Sequence, residues 1–398
     1  MKWEKVKLGN VTDSCLGKML DQNKNKGDYQ PYLANVNVRW GEFDLEDLPL
    51  MKFEESEQER YELKYGDLVI CEGGEPGRCA IWKEQIPNMK IQKALHRVRV
   101  HDCLDYRYLF YWFLLAGKTG ELDQYFTGAT IKHMPGQKLK EVVIDKPPLE
   151  IQHRIADILS AYDDLIENNQ KQIKLRKEAA QRLYKEWFVD LHFPGHENTK
   201  IVDGVPEGWS VYPFSSKVDI MSGGTPKTSI PDYYNGKIPF YTPKDSDGAF
   251  FAYKTQINIT EGGLKNCNSR LYPPKTVIIT ARGTVGKTTI LAVPMAMNQS
   301  CYALKMKEND APYYLFFALN NEIKALQTMA NGGVFNTIIG KTFDSINIQI
   351  PNDPLIYGFE KTVRPFMEQI KNKLQANSKL VEARDRLLPK LMSGEVKV

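Results

Sequence analysis

The sequence has little that would place the protein in a membrane or outside the cell. No apolar run approaches the roughly 18 residues needed to cross a bilayer. The opening segment, MKWEKVKLGNVTDS, contains no apolar core of the kind that secretory signals carry. We therefore expect a cytoplasmic protein with no membrane partner.

Cysteine and net charge are also scarce. The six cysteines form no C-x-x-C pair, and no Cys/His cluster has the spacing of metal ligands; they lie at Cys15, Cys71, Cys79, Cys103, Cys267 and Cys301. They read as free thiols in a reducing compartment, so neither a metal site nor a disulfide framework is expected. A net charge of +4 permits binding to nucleic acid without requiring it.

What the sequence does have is an internal repeat. The stretch 67-DLVICEGGEPGRCAI-81 aligns with 276-TVIITARGTVGKTTI-290 at an offset of 276 − 67 = 209, which places Arg78 on Lys287. Further on, 108-YLFYWF aligns with 314-YLFFAL at 206, and 128-GATIKHMPGQKLKEVVIDKP-147 with 332-GGVFNTIIGKTFDSINIQIP-351 at 204. Gln92 falls on Gln299 in the same comparison. The chain is therefore a tandem of two similar halves.

Each half begins with short apolar runs broken by Gly, Pro, Asn and Asp, which predict strands and turns, with a helix over 104–118 in the first half. Each half then ends in a long helical pattern. The first spans 149–188, after Pro147 and Pro148, and the second spans about 354–393. We expect Pro365 to lie near the start of the second helix or to kink it, and Pro389 to weaken its last turn.

The apolar residues of these two helices recur at steps of seven, or of three and four, which is typical of a coiled-coil seam. The seam positions are Ile155, Leu159, Tyr162, Ile166, Asn169, Ile173, Leu183, Val363, Phe366, Ile370, Asn377, Leu380 and Leu387. The polar members are open to two interpretations. Asn169 and Asn377 either mark a face that turns partly to solvent or fix the register of the pair.

Several motifs resemble the specificity subunit of type I restriction–modification systems. The long segment KPPLEIQHRIADILSAYDDLIENNQKQIKLRKEAAQRLYKEWF is similar to the central conserved region of that family, and EARDRLLPKLMSGEV to its C-terminal one. The motifs 206-PEGW-209 and 223-GGTP-226 resemble the opening of a target recognition domain. The resemblance extends over essentially the whole chain, although 354-PLIYGFEKTVRPFMEQI-370 is less similar to the first helix than repeats usually are.

The resemblance implies an α+β protein in which two similar target recognition domains, mostly β with helices, alternate with two long helices. The domains are expected at 1–147 and 205–351, the helices at 148–192 and 352–398, and a linker at 193–204. The helices would pair as an antiparallel coiled coil that sets the spacing between two DNA half-sites. Their length of about 60 Å and inward docking of the domains suit half-site centres about 10 or 11 base pairs apart.

The resemblance further implies a non-catalytic subunit that binds double-stranded DNA. Two modification subunits, which use S-adenosylmethionine to methylate adenine N6, would dock on the helices. Two restriction subunits, which use ATP and Mg, would join them. No cofactor is expected in this chain, and each domain would read one half of an asymmetric split site. The polar loops that differ most between the halves, such as 21–28 against 225–235, favour two different half-sites.

Base edges and phosphates are contacted by Arg, Lys, amide, hydroxyl and aromatic side chains on loops. In the first domain the candidates are Lys24, Lys26, Tyr29, Arg39, Arg78, Lys90, Gln92, Lys93, Thr130 and Lys132. In the second they are Thr225, Lys227, Thr228, Lys244, Arg282, Thr284, Lys287, Asn298, Gln299 and Asn336. His133 stands alone, so we interpret it as a loop or core residue. For any single candidate, a solvated loop charge is the competing interpretation.

Three other functions compete. TARGTVGKTT resembles a phosphate-binding loop, but Ala281 replaces the first glycine and the following residues are β-like, whereas such a loop must open a helix. An adenine methyltransferase needs an Asn/Asp-Pro-Pro-Tyr/Phe loop, and Asn352-Asp353-Pro354 continues with Leu355 instead. A DNA-independent coiled-coil scaffold shares the architecture, and differs by predicting no sequence preference and no steep salt dependence of DNA affinity.

Overall fold

The computed structural model describes residues 3–21, 25–329, 338 and 340–398. Contacts divide the chain into two units. Unit 1 comprises Met1–Ile166 and Lys379–Val398, and unit 2 comprises Glu167–Ser378. Each unit contains one globular domain and one end of each long helix. In the part of the chain that the structure describes, no helix is long and apolar enough to cross a membrane.

Among the residues that the structure describes, the domain of unit 1 consists of three small sheets and three α-helices. Its strands are β1 (Glu4–Lys7), β2 (Thr12–Leu16), β3 (Asp28–Leu33), β4 (Leu50–Phe53), β5 (Leu68–Cys71), β6 (Cys79–Ile81), β7 (Lys90–Ile91), β8 (Leu95–Val100) and β9 (Val143–Lys146). Its helices are α1 (Gln58–Tyr61), α2 (Tyr106–Thr119) and α3 (Gly136–Glu141). The strand orders are β2-β8-β5-β6, β4-β3-β7 and β1-β9, and among these pairs only β3 and β7 run parallel.

Helix α2 forms the centre of the unit 1 core. It begins where Asp105 accepts hydrogen bonds from the backbone nitrogens of Arg107 and Tyr108, at 2.7 and 3.1 Å, and ends at Thr119, with Gly120 as the C-cap residue. Such N-terminal capping satisfies amide donors that have no partner inside the helix. The helix is apolar on most sides and is buried against the sheet strands, so its sequence explains both its type and its position. The prediction of a helix over 104–118 is confirmed.

The domain of unit 2 repeats this order. The long helix α4 (Leu149–Phe188) precedes it, and its strands are β10 (Ile201–Val202), β11 (Val205–Pro206), β12 (Ser210–Pro213), β13 (Val218–Ser222), β14 (Tyr234–Tyr241), β15 (Phe251–Ala252), β16 (Asn258–Ile259), β17 (Val277–Thr280), β18 (Thr288–Leu291), β19 (Ala296–Met297), β20 (Cys301–Met306) and β21 (Asn347–Ile350). The helices are α5 (Phe214–Lys217), α6 (Glu261–Lys265), α7 (Pro312–Met329), α8 (Gly340–Asp344) and α9 (Asp353–Met392).

The sheets of the two domains correspond strand by strand. The order β13-β20-β17-β18-β15 matches β2-β8-β5-β6 with one added strand, and β16-β14-β19 matches β4-β3-β7. Even a tertiary hydrogen bond recurs, because the hydroxyl of Tyr108 donates to the carbonyl of Asp145 and that of Tyr314 to the carbonyl of Gln349. The α+β prediction and the internal repeat are therefore confirmed.

One residue pairing from the sequence comparison is wrong. The backbone nitrogen of Gln92 donates to Leu33, and the equivalent bond in the second domain is made by Asn298 to Tyr241. Gln92 therefore corresponds to Asn298, and Lys93 to Gln299. The pairing of the two glutamines is one residue out of register, because the loop before them differs in length between the halves.

The long helices lie antiparallel within each unit. In unit 1, Ile155 and Leu159 of α4 share a buried cluster with Leu388 and Leu391 of α9. There Arg384 of α9 forms an ion pair with Asp163. Later residues of α4 thus meet earlier residues of α9, which is the antiparallel arrangement.

In unit 2 the same pairing continues. The side chain of Asn169 donates to Asn377 at 2.8 Å and accepts from Lys373 at 3.1 Å, while Arg176 donates to Gln369 at 2.5 Å. The seam positions named above are all buried or half-buried; they are Ile155, Leu159, Tyr162, Ile166, Asn169, Ile173, Leu183, Val363, Phe366, Ile370, Asn377, Leu380 and Leu387.

The prolines of α9 lie inside the helix. It begins at Asp353, so Pro365 is well within it. Of the two expectations for this proline, the position near the start is wrong, and the kink stays a prediction. The buried side chains of Val363 and Met367 hold the helix to the core on both sides of Pro365, and such packing can outweigh a lost backbone bond. At the other end Pro389 precedes the last residues, and its carbonyl still accepts from the Ser393 nitrogen at 3.0 Å.

Candidate DNA interface

The TARGTVGKTT stretch is a β-hairpin. Strand β17 runs into a turn over 281–287 and returns as β18, with Ile279 opposite Thr288 in antiparallel register. Gly283 and Gly286 take positive φ angles of 80° and 82°, which glycine adopts without steric strain. A phosphate-binding loop must lead into a helix, so this geometry is inconsistent with nucleotide hydrolysis here.

The turn lies at one end of the unit 2 sheet together with three other candidate loops. The hydroxyl of Thr284 donates to the carbonyl of Pro243 at 3.3 Å, and the Ala281 nitrogen donates to Ser300 at 2.7 Å. The hydroxyl of Thr225 donates to the side chain of Gln299. Loops separated by up to 74 residues therefore meet, and we call this surface the second polar edge.

The second polar edge carries free cations. Lys244, Arg282 and Lys287 are exposed, and they form no ion pair with any residue that the structure describes. Lys227 and Thr228 are exposed beside them. Asn298 is half-buried and its side chain accepts from the Ser300 nitrogen at 3.1 Å, which fixes the loop. Asn336 lies outside the described residues.

The equivalent loops of the first domain meet in the same way. The Glu72 nitrogen donates to Ala94 at 2.8 Å, the counterpart of the bond from Ala281 to Ser300. Arg78 donates to the backbone and side-chain oxygens of Asn35 at 3.2 and 3.0 Å, and the Asn35 amide donates to Gly73 at 2.6 Å. These loops form the first polar edge. Asn35 was missed by the sequence analysis because its partner is 43 residues away.

Several first-domain candidates are exposed at or near this surface. Lys26, Tyr29, Lys93 and Thr130 are exposed, and Gln92 is half-buried. The ring of Tyr29 lies under the ammonium of Lys52, 5.1 Å from nitrogen to ring centroid. Such an arrangement presents both an aromatic face and a positive charge.

Two exposed first-domain candidates already have protein partners, and one candidate is not described. Arg39 donates to the carbonyls of Val36 and Val38, and Lys132 pairs with Asp123 at 3.5 Å. Arg39 also forms an ion pair with Asp44 at 3.9 Å. Both ion pairs are solvent-accessible and therefore of the weak kind. Lys24 lies outside the described residues.

The structure contradicts the prediction that Lys90 contacts DNA. Its side chain is fully buried, and its ammonium donates to Glu62 at 2.7 Å. A lysine buried in this way is held by its carboxylate partner and cannot reach a ligand in solvent. Arg78 is also mostly buried, at 17% exposure, and its bonds to Asn35 tie the hairpin turn to the loop after β3.

The histidines near the first edge are structural. Burial lowers the pKa of His96, and its Nε2 lies 3.1 Å from the carbonyl of Met134. His133 is exposed and forms backbone hydrogen bonds with Thr127, consistent with the interpretation as a loop residue. Within the described ranges, no group of three or more His, Cys, Asp or Glu side chains could hold a metal ion.

Comparisons with known proteins identify the family. The profile of the type I restriction modification DNA specificity domain matches residues 1–176 and 206–377. The chain is 29% identical to the type I restriction enzyme MjaIX specificity subunit of Methanocaldococcus jannaschii over 341 residues, covering 84% of this chain and 78% of that one. It is 22% identical to the HindI specificity subunit of Haemophilus influenzae, with 99% of each chain covered.

A solved structure has the same fold. The type I restriction–modification S subunit from M. genitalium superposes with a TM-score of 0.60 at 18% identity, and the match covers 98% of this chain and 96% of that one. The family profile occurs twice, once in each half of the repeat. The chain therefore belongs to the DNA specificity subunits of type I restriction–modification systems.

Proposed function

We propose that each globular domain reads one half of a split, asymmetric DNA site through its polar edge. The observation that carries this proposal is the convergence of equivalent loops at one end of each sheet. The side chains presented there differ between the two domains. Lys287 of the second edge is exposed, whereas its counterpart Arg78 is mostly buried and bonded to Asn35, and Arg282 stands where the first domain has Gly73. Different donor patterns select different base pairs, so the two half-sites should differ.

Within each edge, the residues divide by chemistry. Both cationic and amide or hydroxyl side chains can contact phosphates and base edges. We assign the exposed cations of each edge to phosphates, because phosphate contacts supply most of the affinity, and the amide and hydroxyl side chains to bases. On this basis Lys227, Lys244, Arg282 and Lys287 grip the backbone of the second half-site, and Thr225, Thr228 and Gln299 are placed to read it. In the first domain, Lys26 and Lys93 grip the backbone, and Gln92 and Thr130 read bases.

The paired helices have two further roles in this proposal. They set the spacing between the half-sites, because α4 alone is 40 residues long, or about 60 Å at 1.5 Å per residue. They also dock two modification subunits. Support comes from the outer face of α4, where Leu165 and Leu175 remain 53% and 63% exposed.

The chain itself is non-catalytic in this account. S-adenosylmethionine belongs to the modification subunits, and ATP and Mg to two restriction subunits that join the complex. The chain contributes target choice, and its partners contribute chemistry. This division agrees with the naming of the relatives as specificity subunits.

The test is methylome sequencing of cells that produce the modification subunits with and without this chain. We expect adenine methylation at one bipartite motif only when the chain is present. Methylation of the same motif without the chain would contradict the proposal. Assembly of the complex with no motif at all would instead favour a scaffold that does not read DNA.

A further inference from the structure

Each polar edge includes a short turn that follows a strand of the smaller sheet. In the first domain a 3₁₀ helix over Asn35–Asn37 follows β3, and in the second domain one over Pro243–Asp245 follows β14. The backbone nitrogen of the residue before each helix, Ala34 or Thr242, donates to the side chain of the last helix residue, at 2.9 and 2.8 Å respectively. The two turns are therefore closed by the same hydrogen bond.

A contact with the neighbouring β-hairpin fixes each turn in the same place. The guanidinium of Arg78 donates to the carbonyl of Asn35 at 3.2 Å. In the second domain the hydroxyl of Thr284 donates to the carbonyl of Pro243 at 3.3 Å. Both donors lie in the hairpin turns that the repeat aligns with each other, so the first residue of one turn corresponds to the first residue of the other.

The middle residue of each turn is exposed, and we call it the tip residue. It is Val36 in the first domain and Lys244 in the second, at an offset of 244 − 36 = 208. The first and third residues of both turns are buried or half-buried, whereas Val36 is 70% exposed and Lys244 is also exposed. The carbonyl of Val36 accepts from Arg39, and that of Lys244 accepts from Gln256 at 3.2 Å. The backbone of each tip residue is thus held while its side chain stays accessible.

The side chain of the tip residue can differ between the domains because it does not hold the turn together. The hydrogen bonds that fix each turn use the backbone of the tip residue and atoms of its neighbours. The duplication keeps this frame and exchanges the exposed group, which is aliphatic in the first domain and cationic in the second. The same frame with a different exposed group is what two domains that read different half-sites require.

We propose that Val36 contacts the 5-methyl group of a thymine in the half-site read by the first domain. The inference rests on the proposed function, since it assumes that the first polar edge faces the bases. The isopropyl group of Val36 neither donates nor accepts a hydrogen bond, and the thymine methyl is the apolar group that base pairs present in the major groove. Contact removes both apolar surfaces from water, which is favourable. Lys244 presents an ammonium group at this position, so we expect no such methyl contact in the second domain.

The experiment measures DNA affinity of the full chain in complex with its modification subunits. The probe is a duplex that contains the methylated motif, and each thymine of the first half-site is replaced in turn by uracil, which removes only the 5-methyl group. The first half-site is the half of the motif that persists when residues 205–351 are exchanged. One of these replacements should weaken binding of the wild type about fourfold, the effect expected for one buried methyl group.

The variant Val36→Ala assigns that loss to the tip residue. It should weaken binding to the thymine duplex by a similar factor, because the apolar contact is lost from the protein side. The uracil that weakens the wild type should then change the affinity of the variant by less than about twofold, since two changes that remove the same contact are not additive.

Val202→Ala is the matched control. It removes the same atoms from a valine that is 60% exposed on β10, a strand that contributes no loop to either polar edge. It should respond to uracil as the wild type does. The inference is overturned if no uracil in the first half-site weakens binding, if the loss is as large in Val36→Ala, or if the first half-site contains no A·T pair. If the wild-type complex has no sequence preference, the proposed function itself fails, and that result is distinct from the others.

Discussion

At the residue scale, whether a charged side chain can contact DNA depends on whether it already forms a buried ion pair within the protein. The sequence alone does not show which side chains form such pairs. Lys90 and Lys93 lie three positions apart in one polar stretch. Lys90 is buried against Glu62, 28 residues away, whereas Lys93 is exposed. On residue type alone, Lys90 and Lys93 are equally good candidates for contacts with DNA. The two lysines differ because Lys90 contacts Glu62 from a distant part of the chain, and no pattern in the neighbouring sequence predicts that contact.

Glu360 is a buried acid that the sequence did not single out. It is 3% exposed, and one of its oxygens accepts from the backbone nitrogens of Tyr313 and Tyr314, each at 2.8 Å. In the first domain the equivalent helix start is capped by its own Asp105. Here a residue of α9 caps α7, so the cap joins two elements of unit 2. Burial raises the pKa of Glu360 to about 7.

This shift predicts how the stability of unit 2 depends on pH. Between the ordinary pKa of a glutamate and about 7, the folded chain binds more protons than the unfolded chain, so stability falls as pH rises. The variant Glu360→Gln has no ionisable side chain at this position, so it lacks this contribution to the pH dependence of stability. From pH 5 to 7.5 the free energy of unfolding of the wild type should fall by about 2 to 3 kcal/mol relative to the variant. Urea unfolding at the two pH values measures it. Equal pH dependence in both proteins would contradict the assignment.

At the element scale, the sequence predicted most of the fold. The first long helix was expected over 149–188 and spans Leu149–Phe188, because uninterrupted heptad spacing and a preceding proline pair leave little alternative. The short hairpin of β10 and β11 was missed, since part of it lies in the segment interpreted as a linker. Its two-residue strands carry no periodicity, and only the positive φ angles of Asp203 and Gly204 define the turn.

The polar members of the seam can be tested at this scale. Asn169 bonds to both Asn377 and Lys373, which supports the interpretation that it fixes register. Asn169→Leu should lower the free energy of unfolding by about 1 kcal/mol, because both hydrogen bonds are lost and no new partner is supplied. Chemical denaturation of the full chain measures the change.

Asn168→Leu is the matched control. Asn168 is exposed on the outer face of the same helix turn, so its replacement should change stability by less than about 0.5 kcal/mol. If Asn169→Leu is as stable as the wild type or more so, the two hydrogen bonds add no net stability and the seam tolerates an apolar side chain at this position. A role in fixing register at a cost in stability is compatible with that result.

At the scale of the whole molecule, the duplication is the main evidence for two similar domains and for a DNA site in two halves. It was visible in the sequence because glycines and apolar runs recur at offsets between 204 and 209, and the strand orders of the two domains agree with it. The duplication also exposes differences between the halves, such as Asn298 in place of Gln92. Such differences can be interpreted only after the structure shows which residues of the two halves correspond.

The repeat gives no information on which bases each polar edge is proposed to read. The polar edges are assembled from loops far apart in the sequence, and in the sequence only residue type marks their side chains as candidates. Which of them meets a base depends on the path of the DNA. Function at this level therefore has to be tested by exchanging one whole domain.

The most direct test of the central claim is methylome sequencing after a domain exchange. Residues 205–351 are replaced by the corresponding domain of a specificity subunit with a different target, and both long helices are kept. Two independent reading surfaces predict that one half of the methylated motif changes while the other half and the spacer length stay the same. A change in both halves, or in neither, would contradict the claim that each domain reads its own half-site.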